Sequence, residues 1–358
     1  MTLILSNEEI DGLLTMPECI AALEEAYGEL HAGRAVTRRR SDCLTPAGSR
    51  DDAVYGFKTM DGVVPGQGFA AVRLNSDLVT WPRVGNTRRR VKVPAAPGNR
   101  YVGLVMLFST ENCEPLAIMP DGVVQRMRVG ATNGLGARCM ARADAGDVAV
   151  LGSGWQAGSQ LMAICAVRPV KRIRCFSPDP ENRARFSREM TEFLGIEVTP
   201  ADSTEDAIRG ADVVMCATNA IEAVFFDRWL EPGMHVSSIK IPEIDEGALR
   251  RADRVGLHFG HQEPEVVSAV GVAADDHSPG TGWQAHEGFD FSTCPTLMQM
   301  LAGEAEGRAG SREITCFIND LGLGLQFASV AGLAWRKARA AGIGHDLPTD
   351  WFTETVHP

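Results

Sequence analysis

The sequence predicts an α/β protein in which a doubly wound parallel sheet is combined with a second, discontinuous α+β domain. A buried apolar strand at residues 147–151 runs into a glycine-rich turn and a helix, and short strands and helices then alternate to residue 318. The region before residue 120 is rich in strands without intervening helices. Regular alternation is typical of a parallel sheet with helices on both faces, so the second half of the chain is predicted to form that sheet.

Length, composition and charge restrict the class of protein. The 358 residues suffice for two domains, and 44% hydrophobic with 23% charged residues is an ordinary globular composition. The net charge of −11 argues against a nucleic-acid partner, which needs a basic surface. No apolar run approaches the ~20 residues of a membrane span. The nine cysteines are scattered singly, so we expect reduced thiols in a cytoplasmic protein.

Two helices are predicted near the N-terminus. Ser6 with Glu9, and Thr15 with Glu18, have the spacing of a capping box, in which two residues satisfy free N–H groups at a helix start. The second helix carries apolar residues on one face and is expected to end at Gly33.

A β-rich region follows at residues 35–119. Its clearest hairpin joins residues 101–108 to residues 115–119. Residues 81–99 are rich in proline, arginine and glycine, so they are predicted to form a long surface loop. The run Arg88–Arg90 is interpreted as a solvated part of that loop.

A helix is predicted to begin at Asp121, although it contains Gly130, Gly134 and Gly136. Each glycine costs a helix about 1 kcal/mol relative to alanine, so we expect another backbone to pack closely against it. After the alternating elements, a long amphipathic helix is predicted from about residue 322 to 341. We expect that helix to return to the N-terminal domain.

The most specific motif is the turn that follows the strand at 147–151. It consists of Gly152, Ser153, Gly154, Trp155, Gln156 and Ala157. Gly152 permits the tight turn, Gly154 lets the backbone approach a pyrophosphate, and the small Ala157 lets the next helix pack closely. A second strand at 172–176 follows after one helix length, as a nucleotide-binding βαβ unit requires. The motif therefore predicts a Rossmann-type NAD(P) site, to which Ala217 and Thr218, at the end of a later strand, also contribute.

The residue at the end of the second strand bears on the choice between NAD and NADP. An acidic side chain there would bind the ribose 2′-hydroxyl and repel a 2′-phosphate, but this chain has Ser177. Asp179 precedes Pro180 and is interpreted as a helix cap, although it could instead reach the ribose. With Arg183 in the next helical turn, a 2′-phosphate is tolerated, and we lean toward NADP(H).

Arg128 is the candidate for binding a carboxylate, because a guanidinium group can bind both carboxylate oxygens at once. It stands near the start of the predicted helix, two positions from Arg126, so the two arginines point to different faces. The alternative interpretation is that both are simply solvated.

Three motifs in order resemble the ornithine cyclodeaminase/μ-crystallin family. They are the run from Leu107 to Gly122, the segment Arg128–Thr132 and the turn Gly152–Ala157. The resemblance implies an NAD(P)-binding Rossmann domain, placed here at 123–319. It also implies a discontinuous substrate-binding and dimerisation domain, placed at 1–122 and 320–358, and an active site between the two.

The resemblance also implies roles for individual residues. Arg128 matches the family arginine that holds the substrate α-carboxylate, and Arg39, in a run of three arginines, matches a second carboxylate-binding arginine. Lys58 and Arg73 compete for the place of a family lysine beside the reacting carbon. Lys240 stands at the carboxyl end of a predicted parallel strand, where ligands bind, and is the third candidate for catalysis; a surface lysine is the alternative.

One departure from the family bears on function. Ornithine cyclodeaminases carry an aspartate in the turn after the strand that matches residues 234–239, and this chain lacks it; Asp245 is expected to cap the next helix. We therefore expect an NAD(P)-dependent oxidoreductase that transfers hydride between nicotinamide and the imine carbon of an amino or imino acid.

Two alternatives stay open. One is a cyclodeaminase that uses bound NAD catalytically and releases ammonia. The other is an NADPH-binding protein with little turnover, as the lens-crystallin members suggest. The expected partners are a small amino, imino or 2-oxo acid and a second copy in a homodimer. No metal site is predicted, because the one close histidine pair, His258 and His261, has no cysteine or carboxylate cluster near it.

Overall fold

The structure is a computed structural model, which describes residues 1–48, 50–84, 87–260, 264–272, 286 and 288–356. Two main sheets contain most of the strands. The strands are β1 Thr2–Ile4, β2 Val36–Thr37, β3 Ser41–Pro46, β4 Ala53–Val64, β5 Phe69–Thr80, β6 Arg83–Val84, β7 Thr87–Arg88, β8 Val91–Val93, β9 Val102–Ser109, β10 Pro115–Pro120, β11 Asp147–Leu151, β12 Arg172–Phe176, β13 Val198–Pro200, β14 Val213–Cys216, β15 His235–Ser238, β16 Arg254–Leu257, β17 Glu265–Ser268, β18 Thr315–Ile318 and β19 His345–Leu347.

The helices connect these strands or cover the sheets. They are α1 Asn7–Leu13, α2 Met16–His31, α3 Gly122–Met140, α4 Trp155–Val167, α5 Pro180–Leu194, α6 Thr204–Ile208, α7 Glu246–Arg251, α8 Leu297–Leu301 and α9 Gly324–Ala341. Among the described helices, none is long and apolar enough to cross a membrane. The predicted capping boxes are present at the starts of α1 and α2.

The first sheet is built mainly from the β-rich N-terminal region, as predicted. Its order is β17-β3-β4-β5-β9-β10-β1-β19, with β2 beside β4 and β8 beside β5. The predicted hairpin is the antiparallel pair β9–β10. Along β5 buried residues alternate with half-buried ones, so one face of the sheet points to the interior and the other outward.

The prediction of a surface loop at residues 81–99 is wrong in part. Val91–Val93 forms β8 and pairs antiparallel with the end of β5, where Lys92 lies opposite Val79. Strand β8 completes the hydrogen bonding of β5 beyond the end of β9. Arg90, interpreted from the sequence as solvated, is consequently held beside the interior face of the sheet.

The second sheet confirms the predicted fold class. Its order is β13-β12-β11-β14-β15-β18-β16, and each of its neighbouring strand pairs is parallel. The strand order reverses between β11 and β14, as in a doubly wound sheet, and ligands bind outside the carboxyl ends of strands at such a point. Strands β14, β15 and β18 are buried along their whole length.

The glycines of α3 are explained by close packing, as expected from the sequence. A Cβ atom added to Gly130 would lie 2.7 Å from the backbone oxygen of Ser159 on α4. At Gly136 the neighbour is a side chain, because an added Cβ would lie 2.4 Å from the ring of Phe317. Helix α3 is therefore packed closely against α4 and against β18 of the second sheet.

Several segments connect the two sheets. Helix α9 packs on β4 and β5 of the first sheet, as expected for a chain that returns to the N-terminal domain. Gly324 is required there, since an added Cβ would lie 2.0 Å from the backbone of Asp61. Strand β17, which the predicted division places in the 123–319 domain, pairs with β3 in the first sheet. The remainder of that division stays a prediction.

Candidate active site between the two sheets

The glycine-rich turn has the backbone geometry that a dinucleotide requires. Gly152 has φ +119°, and an added Cβ would lie 2.2 Å from the carbonyl oxygen of Ala217, so only glycine fits. At Gly154 an added Cβ would meet nothing within 4 Å, so the space beside the start of α4 is open. The first N–H groups of a helix have no partner within it and point toward that space. Ala157 is fully buried against the sheet. The turn therefore fits a pyrophosphate.

The two neighbouring arginines of α3 point to different places, as their spacing predicts. The Arg126 guanidinium carbon lies 4.0 Å from the ring centroid of Trp155, the first residue of α4. Trp155 is 54% exposed. Arg126 therefore belongs to the surroundings of the glycine-rich turn, whereas Arg128 points toward the first sheet.

The end of β12 carries hydroxyl groups and an arginine. Ser177 is buried, and its Oγ lies 2.8 Å from Oγ of Ser153. Asp179 accepts hydrogen bonds from the N–H groups of Glu181 and Asn182, so it caps α5 instead of pointing to the end of β12. Arg183 donates to the Ser177 carbonyl oxygen at 2.6 Å, which places a cation beside the end of β12.

A buried glutamate that sequence analysis missed connects the ends of β14 and β15. Oε1 of Glu243 accepts hydrogen bonds from N and Oγ1 of Thr218 at 2.6 and 2.8 Å, and Oε2 accepts from N of Ile239 at 3.1 Å. Glu243 therefore fixes Thr218, directly after β14, to the residue that follows β15. Asp245 caps α7, as expected.

Arg128 is a buried cation whose hydrogen-bond partners are uncharged. Its side chain donates to Oε1 of Gln125 from Nε and NH2, and to Oε1 of Gln326 from NH1. Burial, followed by the nearby charge of Arg73, lowers its pKa to about 9. Three of its five N–H groups are used in these bonds, so two remain for a ligand.

Arg73 and Arg128 lie at the same aromatic ring but in different electrostatic settings. Their guanidinium carbons lie 5.6 and 5.1 Å from the centroid of the Phe327 ring. Arg73 donates to Oδ2 of Asp121 from Nε at 2.7 Å and from NH2 at 2.6 Å. Arg73 is thus neutralised by a carboxylate, and Arg128 is not.

Lys58 lies on the same interior face as Arg73, so both of the competing candidates point into the site. Lys58 is opposite Asn75 and Arg73 is opposite Met60 across the β4–β5 pair. The Lys58 Nζ donates to Oδ2 of Asp77 at 3.2 Å. Burial, then the charge of a nearby arginine, Arg90, lowers the pKa of Lys58 to about 7, while Asp77 opposes the shift.

A second lysine, Lys92, binds the same carboxylate and extends this cluster to Asn75. Nζ of Lys92 lies 2.8 Å from Oδ1 of Asp77 and 3.2 Å from Oδ1 of Asn75. Burial raises the pKa of Asp77, but the charges of Lys92 and Lys58 outweigh that effect and hold it below its usual value. The sequence contains a pattern from which this cluster could have been predicted. Arg73, Asn75 and Asp77 are spaced two residues apart along β5, and residues with this spacing lie on the same face of a strand.

Lys240 stands at the carboxyl end of β15, as predicted, and is partly buried. Its Nζ donates to the carbonyl oxygen of Ala220 at 2.5 Å, and burial lowers its pKa. Asp320, which sequence analysis missed, follows β18, the neighbour of β15. Burial raises the pKa of Asp320 to about 6, and the charges of Arg40 and Lys240 oppose the shift.

Arg39 does not point into the site, which corrects the expectation for the run of three arginines. The Arg39 side chain is exposed. Arg40, the next residue along an extended segment, points to the other side and donates to both carboxylate oxygens of Asp42 at 2.8 and 2.9 Å. The charge of Arg40 acts on both Arg128 and Asp320.

The histidine pair named in the sequence lies partly outside the described residues, because His261 is not among them. His258 is buried, and its Nδ1 lies 2.8 Å from the carbonyl oxygen of Asp320. In the described part of the chain, no three histidine, cysteine, aspartate or glutamate side chains are grouped so as to hold a metal ion.

Comparison with known proteins agrees with this architecture. A sequence model of the ornithine cyclodeaminase/mu-crystallin family matches residues 90–341. A Δ1-pyrroline-2-carboxylate reductase of Bacillus thuringiensis is 26% identical over 352 residues, which cover 96% of this chain and 99% of the relative. An ornithine cyclodeaminase of Agrobacterium fabrum is 26% identical over 71% of this chain and 68% of its own.

A solved structure with a similar fold is the Thermococcus litoralis Δ1-pyrroline-2-carboxylate reductase in complex with NADH and L-proline. It has a TM-score of 0.77 and 24% identity, and the match covers 97% of this chain and 100% of that one.

Proposed function

Because the chain belongs to the ornithine cyclodeaminase/mu-crystallin family, we propose that it is an NAD(P)-dependent oxidoreductase acting on the carbon–nitrogen bond of an amino or imino acid. The observation that carries this proposal is the buried Arg128, whose side-chain partners among the described residues are all uncharged oxygens. A buried cation without a carboxylate is costly, and a substrate α-carboxylate is a planar partner for its two remaining N–H groups. Helix α3, which carries Arg128, packs on α4 of the glycine-rich turn.

The site supplies what the reduction of an imine requires. The nicotinamide ring, when bound, supplies a hydride to the imine carbon, and the nitrogen must receive a proton. Lys58 has a pKa of about 7, so it exists in both protonation states near neutral pH and can donate that proton. Arg73, Lys58 and Lys240 are the candidates beside the reacting centre; Arg73 is always charged and can only orient or stabilise.

Asp320 favours the cyclodeaminase as the second candidate. The aspartate expected after β15 is missing, but Asp320 follows the neighbouring strand and has a pKa of about 6. A carboxyl group with a pKa near neutrality can exchange protons with an amine or a water molecule. This position could therefore compensate for the missing residue.

For the cofactor, we propose NAD(P) with a preference for NADP(H). The support is Ser177 at the end of β12, the capping role of Asp179 and the position of Arg183. Substituting Ser177→Asp places an anion at the 2′ position, so NADPH binding should weaken much more than NADH binding. Fluorescence titration of both reduced cofactors measures this. A tenfold preference of the unmodified protein for NADH, about 1.4 kcal/mol, would contradict the assignment.

We also propose that the protein is a homodimer that pairs through the outward face of the first sheet. Val102 and Leu104 on β9 and Phe57 on β4 are exposed there, and Leu74 and Met106 are half-buried. Strand register places Leu104 beside Leu74 and Met106 beside Val72, which makes a continuous apolar surface. Surfaces of this kind are commonly covered by another protein chain.

The decisive experiment measures NADH and NADPH oxidation against 2-oxo acids, each with ammonia or methylamine, and against cyclic imines. Oxidation that depends on both carbonyl compound and amine, or on the cyclic imine alone, supports the reductase. Ornithine or lysine with catalytic NAD⁺ is the second arm. Stoichiometric proline or pipecolate with ammonia release would establish the cyclodeaminase instead. Tight NADPH binding without turnover in either arm would instead support an NADPH-binding protein with little turnover, like the lens-crystallin members.

A further inference from the structure

Arg90 is a half-buried basic residue beside the candidate site, and the proposed reaction does not use it. It directly precedes β8, and Lys92, two residues later, points to the interior face of the first sheet. Arg89 forms an isolated β-bridge with Ala220, whose carbonyl oxygen accepts the hydrogen bond from Lys240. Arg90 is thereby held between the two sheets.

In the part of the chain that the structure describes, no carboxylate is hydrogen-bonded to the Arg90 guanidinium. Its Nε is buried and has no hydrogen-bond partner among the described residues. Burial lowers the pKa of Arg90. The two oxygens of Asp77 are taken by Lys58 and Lys92, as the ion pairs of the interior face show.

The surroundings of Arg90 carry more positive than negative charge. Asp42, the other nearby carboxylate, is bound through both oxygens by Arg40. The charged side chains that act on Arg90 or on its neighbours in this cluster are Arg40, Lys58, Arg73, Lys92, Asp42 and Asp77. Arg73 is paired with Asp121, so among the described residues the other four cations, Arg90 included, face two carboxylates. A buried guanidinium in such a setting is stabilised when an anion from outside the chain binds it.

We infer that the substrate carries a second carboxylate, which Arg90 binds with Arg40 and Lys92 while Arg128 binds the α-carboxylate. This inference rests on the proposed function, and it narrows the substrate to a dicarboxylic imine or the 2-oxo diacid from which one forms. The charge of Arg40 acts on both Arg128 and Arg90. The pyrophosphate site lies elsewhere, at the start of α4 beside Trp155 and Arg126.

Matched pairs of 2-oxo acids test the inference. Oxaloacetate and 2-oxoglutarate are compared with 2-oxobutanoate and 2-oxopentanoate, which have the same chain lengths but no second carboxylate. With ammonia and NAD(P)H, kcat/KM should be at least tenfold higher for the diacids. In Arg90→Gln the ratio of the diacid to the monoacid kcat/KM should fall toward one, because only the diacids have a second carboxylate for Arg90 to bind. Arg100→Gln removes the charge of an exposed arginine in the same segment and should leave the preference intact.

Binding measurements keep the inference testable if Arg90→Gln has low activity or if no 2-oxo acid is reduced. In the presence of NADP⁺, succinate and glutarate should raise the unfolding temperature more than butanoate and pentanoate, and Arg90→Gln should abolish that difference. Equal use of monoacids and diacids would overturn the inference and leave the reductase proposal standing. If no 2-oxo acid is reduced but diacids still raise the unfolding temperature in a way that depends on Arg90, the reductase proposal is wrong and the anion site at Arg90 stands. If Arg90→Gln weakens NADPH binding tenfold or more without changing diacid selectivity, the anion is a cofactor phosphate and the inference is wrong.

Discussion

Arg128 and Arg73 contact one phenylalanine ring, yet only Arg128 lacks a carboxylate partner. The amide of Gln326 explains how Arg128 is held without one. Its Oε1 accepts from Arg128, and its Nε2 donates to the hydroxyl groups of Tyr27 and Thr132, so the amide orientation is fixed by its neighbours. The guanidinium is therefore pre-organised while its positive charge remains available to a ligand.

Replacing Arg128 with alanine should raise KM for carboxylate substrates steeply and leave cofactor affinity nearly unchanged. Loss of a charge-assisted bidentate contact costs about 1.5–3 kcal/mol, so kcat/KM should fall roughly 10- to 150-fold. Steady-state kinetics and cofactor titration measure the two effects. Arg138→Ala is the matched control, because Arg138 is an exposed arginine of the same helix. Unchanged kinetics in Arg128→Ala would remove this residue from the site.

Lys58 should impose a pH dependence on imine reduction. Its pKa is lowered to about 7, so the ammonium that donates the proton is present below that pH and is lost as pH rises through it. We expect kcat/KM to fall above about pH 7. In Lys58→Arg the charge persists to much higher pH, so this decline should disappear even if the rate is lower. A decline that stays at the same pH in the variant would assign it to another group, such as Asp320.

At the scale of elements, strand β5 and helix α3 do most to position the site. Strand β5 alternates, so Arg73, Asn75 and Asp77 share the interior face, and its pairing with β4 places Lys58 opposite Asn75. Helix α3 joins the first sheet to the second, and its glycines allow α4 to approach. The distance between Arg128 on α3 and the glycine-rich turn before α4 is therefore set by backbone packing.

Substituting Gly130→Ala should destabilise the protein because the new methyl group meets the backbone oxygen of Ser159, which cannot move as a side chain can. Overpacking of this kind costs about 1–3 kcal/mol. Chemical denaturation measures the free energy of unfolding. Gly28→Ala, in the middle of α2 with nothing near its added Cβ, should instead be neutral or stabilising by up to about 1 kcal/mol. Equal effects of the two substitutions would show that α3 and α4 tolerate greater separation.

At the scale of the whole molecule, the site is assembled from both sheets. Arg40, Lys58, Arg73 and Lys92 come from the first sheet or its connections, whereas Lys240 and Asp320 follow strands of the second. The β-bridge between Arg89 and Ala220 joins the two sides directly. Relative movement of the sheets would therefore change the charge around the substrate as well as access to it.

The outward face of the first sheet leads to a prediction about assembly. A Leu104→Glu substitution places a charge in the proposed dimer surface, so the dimer should dissociate while the fold persists. Sedimentation at several protein concentrations, with circular dichroism for the fold, measures this. Phe193→Glu is the control, because Phe193 is exposed on α5, away from that sheet. A monomeric unmodified protein would contradict the proposed dimer.

Much of the fold could be predicted from the sequence because the patterns that indicate it involve residues close together in the chain. The capping boxes, the β9–β10 hairpin, the alternation that begins with β11 and the position of Asp179 at a helix start depend on residues a few positions apart. The β8 strand was missed because its three residues pair with a strand that precedes them by more than ten residues, across a segment rich in arginine and proline.

The sequence by itself determined the class of fold, the nucleotide turn and the family, since each depends on short-range patterns or on motifs in a fixed order. Only the tertiary structure decided which charges converge. It selected Arg40 over Arg39, placed both Lys58 and Arg73 on the interior face, and brought Arg90 and Asp320 beside the site. The physical reason is that this convergence depends on strand register and on contacts between segments far apart in the sequence. Neither can be inferred from the residues next to a given position.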